Sequence, residues 1–241
     1  MLNQDSALNS AASPAQLFAL QRRTMVDRQI RTFDVTDQAL IERMLDVPRE
    51  TFLPADLAAL AYCDGQLQVA AGNSGSFRKL VAPLALARLI QSANLVSHEN
   101  VLVVGDGPGY AAALVAGLAA SVVALEVDPA FAEMARAACA KLGIDNVTAV
   151  SGPLASGYRP TAPYDVIFIL GVIEIEPRDL CAQLSDGGRV LTFRKPPGDP
   201  VGRAAKAARI SRIGGEFCTR PLFDTGAPVL DAFRAKPAFV F

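Results

Sequence analysis

Residues 101–127 constrain the fold more than any other part of this chain. VLVV is a continuous apolar run, GDGPG a glycine-rich turn, an alanine-rich stretch follows from Tyr110, and SVVALEV is a second apolar run carrying Glu126. Continuous apolar strands alternating with helices belong to a parallel sheet covered on both faces. The alternation continues. DPAFAEMARAACAKLG predicts a helix opened by Asp128-Pro129 and closed by Gly143, as favoured at the two ends of a helix. NVTAV, DVIFIL and GGRVLTF predict the third, fourth and fifth strands. Beyond residue 195, AARISRI, EFCTRPL and PAFVF predict an antiparallel edge. The fold class is therefore α/β.

Upstream the pattern is different. QLFALQRRTMVDRQI and DQALIERMLDV have apolar residues near helical spacing, the second helix with Thr36 as the expected cap. CDGQLQVAAGNSGSFRK predicts loop with short strands, and LVAPLALARLIQSANL a helix with Pro83 in its first turn. The organisation expected is a flexible tail over 1–15, an N-terminal helical and loop extension on the substrate side over 16–97, and a cofactor-binding domain with C-terminal strands over 98–241. The first 15 residues lack the basic start and apolar centre of a secretory leader. The uncharged stretch from Gly107 to Leu125 has the length of a membrane span, but its Gly-Pro-Gly start and its alanines predict loop, helix and strand in series.

Composition narrows the function classes. Lys+Arg is 23 against 24 Asp+Glu, a net charge of −1, which argues against a nucleic-acid partner held by charge alone. The basic tract Arg194, Lys195, Arg203, Lys206, Arg209 and Arg212 has no interleaved stacking aromatics after Phe193 and reads as solvated surface, the alternative being contact with an acidic partner or RNA. A single histidine, His98, expected in a loop, excludes a histidine-based metal site. Cys63, Cys139, Cys181 and Cys218 form no C-x-x-C pair and are expected as reduced, mostly buried thiols of a cytoplasmic protein. No metal and no membrane partner are expected.

The residues that carry chemistry lie at the glycine turn. Gly105, Gly107 and Gly109 give room for backbone to approach a ligand. Glu126, at the end of the next strand, is placed to accept hydrogen bonds from the two ribose hydroxyls of a nucleoside. The plainer reading is a tight turn with a surface acid. The third glycine falls one position early for the dinucleotide fingerprint, and Tyr110 follows it. Together with the lack of a Tyr-x-x-x-Lys pair, this favours S-adenosyl-L-methionine over a nicotinamide cofactor. Asp106 offers a negative charge to a cationic ligand, or is simply a turn residue. Gly171, after the fourth predicted strand, borders the expected crevice or simply ends its strand; Gly152 follows the third predicted strand.

MVDRQIRTFDVTDQALIERMLDVPRETFLP, with Gln29, Arg31, Asp37, Pro48, Arg49, Phe52 and Pro54 in order, followed by AYCDGQL, resembles the protein-L-isoaspartate O-methyltransferase family over residues 24–195. The resemblance implies a Rossmann-like class I methyltransferase sheet, S-adenosyl-L-methionine as cofactor, and a peptide or protein carboxylate as methyl acceptor. It also marks departures. The family's Thr-x-Ser-x-Pro stretch corresponds to Lys79-Leu80-Val81-Ala82-Pro83, so Val81 stands at the active-site serine. Val103 replaces an acid before the glycine turn, and Pro153 replaces the Asp of a Gly-Asp pair. Ser74 and Ser76, a few residues upstream, are the candidates to substitute for the serine if the loop folds back, or are solvated loop residues. The expected activity is that of an adenosylmethionine-dependent O-methyltransferase with isoaspartyl repair in doubt; the alternative is a non-catalytic or regulatory cofactor-binding relative.

Overall fold

Ser13 opens the first helix with a capping box: its hydroxyl accepts from the Gln16 amide at 3.3 Å, and the Gln16 side chain accepts from the Ser13 amide at 2.8 Å. The computed structural model describes residues 12–72, 74–196, 199 and 204–235. Helix α1 (Pro14–Met25) runs into a π-helical turn (Val26–Ile30), and α2 covers Gln38–Asp46. The cap of α2 is Asp37 rather than the expected Thr36. The Gln91 carboxamide oxygen accepts from both the Thr36 and Asp37 amides, at 2.6 and 2.9 Å, and the helix starts one residue later, with Asp37 Oδ1 accepting from the Leu40 amide.

Strands β1 (Gln68–Ala70) and β2 (Phe77–Lys79) form a separate antiparallel hairpin, followed by α3 (Pro83–Ala93). Then come β3 (Asn100–Val104), α4 (Tyr110–Ala116), β4 (Ser121–Glu126), α5 (Pro129–Lys141) and β5 (Val147–Ser151). The rest of the described chain contains β6 (Tyr164–Ile173), α6 (Arg178–Cys181), β7 (Leu184–Arg194), β8 (Ala205–Ile213) and β9 (Glu216–Thr225). The main sheet has the order β5-β4-β3-β6-β7-β8-β9. Its first five strands are parallel, and β8 and β9 are antiparallel. The sequence PAFVF lies outside the described residues.

Why the strands are apolar throughout is visible in β3. Val101 and Val103 pack into the cluster that also holds the N-terminal helices, whereas Leu102 and Val104 pack into the opposite cluster with Leu154 and Leu230. Both faces of the strand are therefore dry. The uncharged stretch from Gly107 to Leu125 folds as turn, α4 and β4, and among the described residues no helix is long and apolar enough to cross a membrane. His98 sits in the turn before β3. All four cysteines are free; Cys139 and Cys181 are buried as expected, with burial pushing each thiol up to about 11, but Cys63 and Cys218 are exposed.

The basic tract is largely paired. Arg194 meets Glu176, Lys206 meets Asp224 at 2.7 Å, and Arg212 donates to the Leu184 carbonyl. Arg203 lies outside the described residues.

One buried ion pair locks the layers together at the end of the sheet away from the glycine turn. Arg189 of β7 donates to Glu99 through Nη1 at 2.6 Å and Nη2 at 3.0 Å, and to the carbonyls of Ala93 and Asn94 at the end of α3. Removing one member of such a pair strands the other charge in the interior. Arg189→Met is expected to lower stability by about 3–5 kcal/mol, read as a drop in urea midpoint at unchanged m-value.

Candidate functional site

The crevice follows from the strand order. β3 is flanked by β4 on one side and β6 on the other, so the chain leaves the sheet in opposite directions there and opens a gap at the carboxyl ends of the strands. The glycine turn lies across this gap. Gly105, Gly107 and Gly109 all have positive φ, +79°, +65° and +99°. A Cβ on Gly109 would stand 2.6 Å from the Ala135 Cβ, so this glycine lets α5 pack on the turn. The other two lie under side chains from elsewhere: a Cβ on Gly107 would meet Arg78 Cγ at 3.0 Å and Leu80 Cδ2 at 3.1 Å, and one on Gly105 would meet Leu230 Cδ2 at 3.2 Å.

Glu126 ends β4 beside the turn, as expected, and is 2% exposed. Its carboxylate is fully engaged. Oε1 accepts from the Gly107 amide at 2.6 Å and Arg78 Nε at 2.9 Å; Oε2 accepts from Arg78 Nη2 at 2.6 Å and its neighbour Val127's amide at 3.1 Å. Arg78 comes from β2, and one edge of its guanidinium, Nε and Nη2, holds both carboxylate oxygens.

Asp106 turns toward α4. Oδ1 accepts from the Ala111 amide at 3.1 Å and Oδ2 from the Ala112 amide at 2.8 Å, so its oxygens hold the first turn of the helix. Burial pushes this carboxyl up to about 7, against the opposing pull of the two amides and of Arg49.

Below the turn is a polar group that sequence reasoning did not single out as part of the site. Arg49 is 1% exposed, with its guanidinium carbon 4.8 Å from the centre of the Tyr110 ring, and Nη2 3.5 Å from the Val81 carbonyl. Arg49 Nε and the Tyr110 hydroxyl have no hydrogen-bond partner among the described residues. Burial lowers the Arg49 pKa and pushes Tyr110 up to about 12. Phe52 packs edge-on to Tyr110, with ring centres 5.6 Å apart.

The remaining candidates are more dispersed. Val81 is 5% exposed and joins the main apolar cluster. Ser74 and Ser76 lie at the hairpin tip, with their hydroxyls on Asp128, whose carboxyl they hold below its ordinary value; the structure does not bring them to Val81. Gly152 donates its amide to the Glu126 carbonyl at 2.8 Å, beside the crevice. Val103 is buried in the apolar core. Gly171 lies inside β6 rather than after it. The ladder with β7 resumes beyond an irregularity, pairing Val172 with Phe193 and Ile173 with Arg194; the C-terminal segment adds a single bridge there, with the Val172 amide donating to the Pro228 carbonyl, and a Cβ on Gly171 would stand 2.6 Å from Leu230 Cγ.

The sheet order and the glycine turn with its strand-end acid define a class I adenosylmethionine-dependent methyltransferase fold. The family model described as protein-L-isoaspartate(D-aspartate) O-methyltransferase matches residues 20–214. The chain belongs to this family, an enzyme family that uses S-adenosyl-L-methionine. It is 38% identical over 199 residues to protein-L-isoaspartate O-methyltransferase 1 of Rhodopseudomonas palustris, covering 83% of this chain and 76% of that one. With the Methanoculleus marisnigri enzyme of that name it is 36% identical over 205 residues, 84% and 91% of the two chains. A solved protein-L-isoaspartate O-methyltransferase superposes with a TM-score of 0.76 at 24% identity, over 88% of this chain and 67% of that chain. A Plasmodium falciparum protein described as a protein-L-isoaspartate O-methyltransferase, in complex with S-adenosyl-L-homocysteine, gives 0.70 at 16% identity, over 88% and 98%. At these identities the structural likeness shows the fold alone.

The donor set suits a nucleoside, but its acid is already occupied. Glu126 has the chemistry to receive a ribose diol, yet both its oxygens are taken by Arg78 and backbone amides. The cavity beneath the turn, bounded by Arg49, Leu80, Val81, Gly105, Asp106 and Tyr110, is about 10 Å³, the size of one water; a cavity of about 480 Å³ lies on the other side of Arg78 and Leu230, which line it. In this arrangement the residues present do not fit the cofactor.

Two outcomes follow from this geometry. Gly109→Ala adds a methyl against Ala135 at a φ that side chains rarely adopt, and should cost at least about 2 kcal/mol in thermal unfolding. Asp106 binds its proton more tightly folded than unfolded, so its contribution to stability is full below its unfolded value of 3.8 and declines as pH rises toward about 7. Urea midpoints across that range should fall with pH less steeply in Asp106→Asn than in the wild type.

Proposed function

We propose that this protein is an O-methyltransferase-family member whose methyl-acceptor side no longer suits an isoaspartyl carboxylate, so that isoaspartyl repair is weak or lost. The observation that carries this reading is Val81. By the resemblance of Lys79–Pro83 to the family's Thr-x-Ser-x-Pro stretch, it stands where the active-site serine belongs. Its side chain lies in the apolar cluster, and Ser74 and Ser76 are engaged with Asp128.

The chemistry sets the scale of the loss. A carboxylate with a pKa near about 4 is already ionised at neutral pH, so methylating it requires no general base. What the protein supplies is orientation of the anion. A donor lost from a charged acceptor costs about 1.5–3 kcal/mol, or about tenfold to a hundredfold in rate. An apolar wall also makes the anion shed water without compensation. The acceptor class remains a peptide or protein carboxylate. Two exposed unpaired thiols support a reducing, cytoplasmic setting.

A second reading, a non-catalytic or regulatory relative, is favoured by one specific observation: Arg78 fills the place on Glu126 that a cofactor would need. Methyl transfer to an isoaspartyl peptide separates the two. On the first reading the wild type turns over at least about tenfold more slowly than a serine-bearing family member, and Val81→Ser recovers part of the difference. Wild-type turnover equal to the family member contradicts both readings. No turnover in the wild type or in Val81→Ser favours the second.

A further inference from the structure

The closure of the crevice is built from two side chains distant in sequence from the glycine turn. Arg78 crosses over Gly107 and takes both oxygens of Glu126. Leu230, from the segment after β9, covers Gly105 and Gly171. That segment is fixed to the sheet by main-chain bonds, Val172 amide to Pro228 carbonyl at 2.6 Å and Leu230 amide to Val172 carbonyl at 3.2 Å. Arg78 is thus the polar closure and Leu230 the apolar one.

We propose that Arg78 is an internal competitor for the cofactor: its guanidinium occupies Glu126 in place of a ribose diol, and the residue sets how weakly this chain takes up an adenosyl ligand.

The exchange is chemically matched. A guanidinium edge presents two N–H donors side by side, and a vicinal diol presents two O–H donors at similar spacing, so either satisfies both carboxylate oxygens while the Gly107 and Val127 amides stay in place. Only one can be there at a time. The guanidinium has the advantage of charge, at a carboxylate shielded from water on every other side. A nucleoside therefore engages only the fraction of molecules in which Arg78 has left, and its apparent dissociation constant rises by the inverse of that fraction. Leu230 makes no polar side-chain bond and yields by a rotamer change, so the polar cost of opening rests on Arg78. The same contact stabilises the protein without ligand, because the buried Glu126 keeps a counter-ion.

This inference concerns uptake of the cofactor and is independent of the acceptor-side reading; its readout is binding with no methyl acceptor present. The experiment is calorimetry with S-adenosyl-L-homocysteine on the full chain, comparing the wild type with Arg78→Met, which keeps the aliphatic stem over Gly107 and removes the guanidinium. Arg78→Met should bind at least tenfold more tightly than the wild type, and Glu126→Gln in the same background should erase the gain. In thermal melts Arg78→Met should start from a lower Tm than the wild type and show a larger rise with ligand. Were Arg78→Met too unstable to purify, Arg78→Lys, which keeps the charge but not the paired-donor grip, should still bind more tightly than the wild type. Equal or weaker binding by the variants overturns the proposal. So does failure of wild type and variants alike to bind at millimolar ligand, or a gain that persists without the Glu126 carboxylate.

Discussion

The Glu126 carboxylate is the point at which this structure is tied together. A carboxylate this deeply buried needs its full set of partners. Here they come from three places: the amide of Gly107 in the glycine turn, the amide of Val127 at the end of its own strand, and the two donors on one guanidinium edge of Arg78 from the β1–β2 hairpin. The hairpin shares no ladder with the seven-stranded sheet. It packs on the body through Val69, Ala71 and Leu80 in the main apolar cluster, and this ion pair ties it directly to the glycine turn. An acid at the end of β4 is thus both the group a nucleoside would seek and the anchor of the element that covers the crevice.

The glycine turn shows how one short segment serves several neighbours. Gly109 admits α5, Gly107 admits the hairpin, and Gly105 admits the C-terminal segment through Leu230. Asp106, between two of these glycines, holds the start of α4 with both oxygens. Beneath it a buried guanidinium, Arg49, is held by a tyrosine face and a single carbonyl. The turn keeps the backbone form of a ligand cradle, while this chain's own side chains fill the space above it.

Much of this was legible in the sequence, and the limits have physical causes. The apolar runs from Val101 to Phe193 announced a two-sided parallel sheet because local pattern and burial agree there. Gly105, Gly107, Gly109 and Glu126 were legible because a strand–turn–helix unit fixes their relation within one short segment. The partner of Glu126 was not: Arg78 lies 48 residues away in a stretch read as loop with short strands, and no periodic signal pairs two charges across such a distance. Leu230 was hidden for the same reason. Asp37 displaced Thr36 as a cap because Gln91, from another helix, holds the Thr36 amide. Gly171 fell inside β6 because pairing with β7 resumes beyond an irregularity, at Val172 and Ile173. In each case a long-range contact prevailed over a local preference.

The central claim, that Arg78 and Glu126 hold each other in the ligand-free protein, is tested most directly by a double-mutant cycle on unfolding free energy. Arg78→Met, Glu126→Gln and the double variant are compared with the wild type by urea denaturation without ligand. The account predicts a coupling of about 1.5–3 kcal/mol, as for a hydrogen-bonded charged pair. Additivity to within about 0.5 kcal/mol would contradict it.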